Sequence, residues 1–208
     1  MKQLFTDAGV WSGGFYELVF EVPDPSQKGA RKAVIALWKD PAIEGCFLER
    51  DREPVQQVRI SSAEIPLQSH SYGIATLSNG NVCVCGSFWG TYGEKGSWVT
   101  LYLPLGSLGK AYPTGAYPFN RKGEPSSGTW LREINLWLKN IAEAVYEQAP
   151  FKVAMIGYEV DFLEVKEQML TAVPEKRWEG ILVPKGDELL WYPPNVYVPP
   201  LTMERVLK

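Results

Sequence analysis

Apolar and polar positions alternate most clearly in Phe15-Tyr16-Glu17-Leu18-Val19-Phe20-Glu21-Val22, an aromatic and β-branched run that stops at Pro23. Period-two patterning with these residue types predicts a strand. Asp24-Pro25-Ser26-Gln27 then combines an N-cap residue, proline at the first helical position and Gln at N3. Ala30, Ala33, Val34, Leu37 and Trp38 follow at helical spacing, so a helix is expected from about 25 to 39. Residues 41 to 53 read as a charged connection and Pro54 to Ser61 as a strand.

Asn79-Gly80 stands between the strand patterns 71–78 and 81–88 and predicts a hairpin with a type I′ turn. That turn pairs Leu77 with Val82, Thr76 with Cys83, Ile74 with Cys85 and His70 with Trp89. Gly86 to Gly96, rich in glycine and aromatics, reads as a loop, Trp98 to Leu103 as a strand, and Gly106 to Gly128 as a long loop. Trp130, Ile134, Trp137, Leu138, Ile141 and Val145 form the apolar stripe of a helix over about 130–148. Phe151 to Val160 reads as a central strand. Asp161 with Glu164 forms a capping box for a helix over about 162–173, and 180–183 with 188–192 a last hairpin. From about 193 the proline-rich tail is expected to be extended. The elements together predict one α+β domain over 1–208, a largely antiparallel sheet with about three helices packed on one face.

The 208 residues carry a formal charge of −3, with 45% hydrophobic and 12% aromatic residues. This composition argues against disorder, and the lack of a basic excess argues against nucleic acid as a partner. The longest apolar run, Ala33 to Trp38, is too short to span a bilayer. No secretory-type apolar stretch follows Met1, and three cysteines fit a reducing, cytoplasmic setting. Cys83 and Cys85, two apart on one strand, aim in parallel and are expected to stay reduced. With one histidine and no CxxC pair, no metal is expected, and no sequence motif calls for a cofactor.

Three groups are candidates for chemistry. His70, the sole histidine, could be a general base, but the expected register separates it from Cys85 by about 13 Å along the ladder. A hydrogen-bonded histidine beside Trp89 is the plainer expectation. Glu159 and Asp161 share a strand face with Cα atoms about 6.5 Å apart and could serve as the carboxylates of a hydrolase, for instance a carbohydrate-directed one. Asp161 is also accounted for as an N-cap. Aromatics placed in expected loops, among them Trp11, Phe88, Trp89, Tyr92, Tyr112, Tyr117 and Phe119, could form a binding surface, since rigid rings bury much area at low entropic cost. The binding residues expected from this set are Trp89, Tyr92, Tyr112, Tyr117 and Phe119. The leading expectation is therefore a non-enzymatic binding protein, by analogy a bacterial immunity-type or other partner-neutralising protein. A hydrolase using Glu159 and Asp161, or a small-ligand carrier with a pocket between sheet and helices, are the alternatives.

Overall fold

The computed structural model describes residues 3–24, 26–91, 96–114, 127–160 and 172–196. Its centre is an eight-stranded antiparallel sheet: β1 (Phe15–Val22), β2 (Ile43–Phe47), β3 (His70–Thr76), β4 (Val82–Thr91), β5 (Ser97–Pro104), β6 (Ala154–Tyr158), β7 (Gly180–Lys185) and β8 (Glu188–Tyr192). The spatial order is β2-β3-β4-β5-β1-β6-β7-β8. With α1 (Lys28–Leu37), α2 (Leu105–Ala111) and α3 (Ser127–Gln148), this is the expected α+β fold. No helix among the described residues is long and apolar enough to cross a membrane.

Alternation assigns the two faces of β1. Tyr16, Leu18, Phe20 and Val22 join Ala33, Val34 and Leu37 of α1 and Ile134, Leu138 and Ile141 of α3 in the main core. Phe15, Glu17, Val19 and Glu21 face the other way. On that second face two small clusters form. One gathers Phe5, Val10, Phe47 and Val84 under the N-terminal segment, and the other gathers Val19, Val153, Met155 and Ile181. Among the described residues, the ground between them is only partly covered.

Several expectations are corrected. The β3–β4 hairpin turns through Ser78, Asn79 and Gly80, three residues rather than two: the Gly80 N–H donates to Leu77 O and the Leu77 N–H to Asn81 O, both at 2.9 Å. Only Gly80 of the three has positive φ, +79°, which excludes type I′ and makes the glycine a bulge residue. Asn79 is held by its side chain, which accepts from the Asn81 N–H and donates to Ala111 O. The register is therefore one residue off the expected one, with Ala75 opposite Cys83, Gly73 opposite Cys85 and His70 opposite Phe88 rather than Trp89.

The expected loop from Gly86 is instead the second half of β4. Its glycines are there for space: a Cβ at Gly86 would collide with the Tyr102 ring, and one at Gly90 with the Trp98 ring. Residues 54–61 are not a strand. Glu53 and Gln56 form a capping box that winds Pro54–Gln56 into a 3₁₀ turn. The strand lies earlier, in β2, within the stretch read as a charged connection. The long loop after Gly106 begins as α2, and α1 starts at Lys28 rather than near 25, behind Gln27 at φ 63°. The helix expected over 162–173 lies almost wholly outside the described residues, as does the tail beyond 196.

Cys46, Cys83 and Cys85 are free and buried, and desolvation pushes the Cys83 thiol up to about 12. Two glycines give a test of this architecture. Gly80→Val should cost about 1–2 kcal/mol, because a β-branched residue resists the left-handed region. Gly86→Ala should cost roughly 1–3 kcal/mol through overpacking against Tyr102. Urea denaturation measures both, and a Gly86→Ala protein as stable as the parent would refute the packing of that ring.

Candidate functional site

One row of residues crosses five strands on the open face. Tyr72 of β3 lies opposite Gly86 of β4, Gly86 opposite Tyr102 of β5, Tyr102 opposite Glu17 of β1, and Glu17 opposite Gly157 of β6. Because Gly86 has no side chain, the Tyr102 ring lies across it, and the phenol oxygen comes within 2.8 Å of His70 Nδ1. Trp11, Phe15, Glu17, Arg50, His70, Tyr72, Phe88, Thr100 and Tyr102 line a cleft of about 400 Å³. That is within the range of small-molecule sites. A larger hollow of about 520 Å³ bounded by Leu48, Val55, Val58 and Ile60 is less convergent. Its charged residues, Glu49 and Arg52, pair with each other at 3.1 Å.

Two ring pairs of the cleft meet at steep angles. Phe15 and Tyr102 are edge-to-face at 5.0 Å and 66°, and Trp11 and Tyr72 at 5.4 Å and 79°. His70 stacks on Tyr72 at 8° and leans on Phe88 at 4.8 Å. The Arg50 guanidinium stands over the Trp11 ring, 5.5 Å from its centre.

Glu17 sits at the floor. Desolvation pushes its carboxyl up to about 7, against the opposing effect of the Val160 N–H, which donates to Oε2 at 3.1 Å; nearby Glu159 adds to the rise. His70 is lowered, first by burial and then by Arg50. Burial raises the Tyr72 and Tyr102 phenols, so both stay protonated at neutral pH.

The cleft depends on how the N-terminal segment is fastened. Glu53 accepts backbone N–H bonds from Leu4, Phe5 and Thr6 and a hydroxyl bond of 2.6 Å from Thr6. Burial alone would raise this carboxyl, but those bonds outweigh it and hold it at about 2. The segment so anchored carries the 3₁₀ turn Ala8–Trp11, and the Trp11 indole N–H donates to Phe5 O at 2.7 Å.

Of the residues singled out from sequence, His70 belongs to the cleft, together with Trp11 and Phe88 from the wider aromatic set. His70 lies on the face opposite Cys83 and Cys85, so no dyad forms between them; the reason is the face, not the 13 Å of ladder. Glu159 is not one of the residues that line the cleft, but its charge acts on Glu17. Its N–H donates to Phe15 O at 2.9 Å, and Oε1 accepts the Phe15 N–H at 3.0 Å, which extends the β1–β6 ladder past Tyr158. The carboxyl it influences is Glu17.

Trp89 is corrected. It is 1% exposed, on the helix-covered face, with its indole N–H bonded to Pro66 O. Tyr112, at the end of α2, donates to Glu133 at 2.9 Å and tilts toward Trp130, so it ties α2 to α3 away from the cleft. Tyr92, Tyr117, Phe119 and Asp161 lie outside the described residues. Sequence reasoning missed Glu17, Tyr72 and Tyr102. The one available signal was Glu17 itself, a carboxylate on the same face of an aromatic strand as Phe15.

Comparison with protein-family models, with curated proteins and with solved structures returned no match.

Two pH effects of opposite sign follow. Glu17, raised in the folded state, favours folding fully below about 4.5, and that contribution is lost as pH rises through about 7. Glu17→Gln should therefore be more stable than the parent near pH 8, on the order of 1–3 kcal/mol, and nearly equal to it near pH 4. Urea titrations at both pH values decide this, and a difference independent of pH would reject it. Glu53 is lowered, so its contribution is present above about 4.5 and fades as pH falls toward 2. Glu53→Gln should lower the urea midpoint at neutral pH and converge with the parent in acid. A variant matching the parent at neutral pH would show that the carboxylate does not anchor the segment.

Proposed function

We propose that the protein binds a small organic ligand in the cleft on the open face of the sheet. One observation carries this reading: rings from five separate elements, Trp11, Phe15, Tyr72, Phe88 and Tyr102, converge around the central Glu17–Tyr102 pair. Here a carboxyl, a histidine and two phenols are held at the same spot, the mixture of apolar wall and few convergent polar groups that ligand sites use. The carrier alternative placed its pocket between sheet and helices, whereas this cleft opens on the opposite face.

The partner-neutralising reading now has less support. It relied on exposed loop aromatics, and Trp89 is core while Tyr112 is a structural tie. A hydrolase built on Glu159 is also less supported, because one oxygen of that carboxyl is engaged by the Phe15 N–H. Glu17 could donate or accept a proton near neutral pH, and that is the remaining argument for acid–base chemistry here.

A fragment library screened by NMR tests the proposal. Binders should shift the resonances of His70, Tyr102 and Thr100 together. Phe88→Ala, at a half-buried ring, should weaken them by about 1–3 kcal/mol with little change in melting temperature. Hits that cluster elsewhere, or a library without any hit, would count against the cleft as a binding site.

A further inference from the structure

We infer that the cleft is an aromatic cage for an organic ammonium ion, a protonated or N-methylated amine, with the Glu17 carboxylate as its counter-charge. This rests on the reading of the cleft as a ligand site and specifies the ligand's chemistry.

Glu17 is a largely buried carboxyl with one hydrogen bond, from the Val160 N–H, and the charge that acts on it is another carboxylate, Glu159. Among the described residues no lysine or arginine forms a salt bridge with it. A buried carboxylate without a cation is costly, and a ligand that carries the cation removes that cost on arrival.

Sugars are held largely by stacking on a flat, open ring face together with many hydrogen bonds. Here Phe15 meets Tyr102 at 66° and Trp11 meets Tyr72 at 79°, which sets walls of differing direction, while His70 lies parallel to Tyr72 at 8°. Aromatic rings gathered around a carboxylate are an environment that a compact, weakly hydrated cation prefers. The rim already receives a cation. Arg50, exposed, places its guanidinium over Trp11, so the protein's own positive group occupies an outer ring while the floor is left to the ligand. Thr100 and His70 remain beside the floor for a hydroxyl or N–H of the same molecule.

The groups facing Glu17 decide how binding responds to pH. They are Tyr102 on β5, Tyr72 and His70 on β3, Arg50 ahead of β3 and Glu159 after β6. The tyrosines stay neutral throughout the working range. Glu17 and His70 both become more favourable to a cation as pH rises, the first by ionising and the second by losing its charge. His70→Gln separates them.

Calorimetric titration with choline chloride is the test, with 3,3-dimethylbutanol as a neutral probe of the same shape. Choline should bind near pH 8 at least about tenfold more tightly than near pH 5, and at least about tenfold more tightly than the neutral probe. Glu17→Gln should lose that preference, His70→Gln should keep the pH dependence, and Arg50→Gln should tighten choline binding. Should Glu17→Gln fail to fold, the carboxyl carbon of Glu17 followed by NMR in the parent serves instead. Choline must move its titration midpoint downward from about 7, and an unmoved midpoint overturns the inference. Equal affinity for the two probes, or no binding of choline, also overturns it. Neither result removes the broader ligand reading, which fails only if the fragment library is silent at the cleft as well.

Discussion

The constraint on which the rest of the structure depends is that β1 is buried from both sides. It lies between β5 and β6 near the middle of the sheet, so its two faces answer to different neighbours. Tyr16, Leu18 and Phe20 satisfy the helix-covered face with ordinary core packing, and the Tyr16 hydroxyl closes its own polar account by donating to Asn135 at 2.7 Å. The opposite face has no helix of comparable extent among the described residues. It is covered from one end by the N-terminal segment and from the other by the cluster around Met155. Glu17 falls where the two covers do not meet, and the cleft is the consequence.

Glycines then determine what the cleft contains. Tyr102 can lie across the sheet only because β4 offers Gly86 in the adjoining position, and only that posture brings its hydroxyl to His70. The same device puts Trp98 across Gly90. Glycine in a strand usually weakens it and marks a close approach. In β4 both glycines mark aromatic side chains that have turned sideways, which removes ring area from water and leaves ring edges and hydroxyls pointing along the sheet.

The fold class was legible because it depends on local patterns. Period-two runs such as 15–22 and helical stripes such as 130–148 survive any tertiary context, and β1 and α3 lie close to where those patterns put them. The candidate site was much less legible, because it is made by register. Glu17, Tyr102 and Tyr72 are far apart in sequence and become neighbours only through ladders that no local signal specifies. Asn79-Gly80 shows how fine the margin is. The hairpin was readable, yet one residue more in the turn moved every pairing by one and replaced Trp89 with Phe88 opposite His70. Glycine also misled: the density that reads as a loop around Gly86 is a strand making room for rings. Trp89 followed from that error, since an aromatic in a glycine-rich loop suggests a surface, whereas the same residue at alternate positions of a central strand belongs to the core.

A carboxyl at the floor of such a cleft works against the stability of the fold above the pH at which it ionises. Packing alone would be better served by glutamine, or by a leucine that continued the aliphatic surface of Val19 and Met155. Strain and unpaired charge of this kind persist where they are used, and functional sites are where they concentrate. Glu53 supplies the contrast within the same molecule. Its carboxylate is fully engaged by four donors on three successive residues, is lowered to about 2, and stabilises the fold at neutral pH. The two glutamates thus separate structural from functional use of one side chain. Glu53 has its partners within the chain, and Glu17, facing an aromatic cleft with one N–H bond, has room for a partner from outside it.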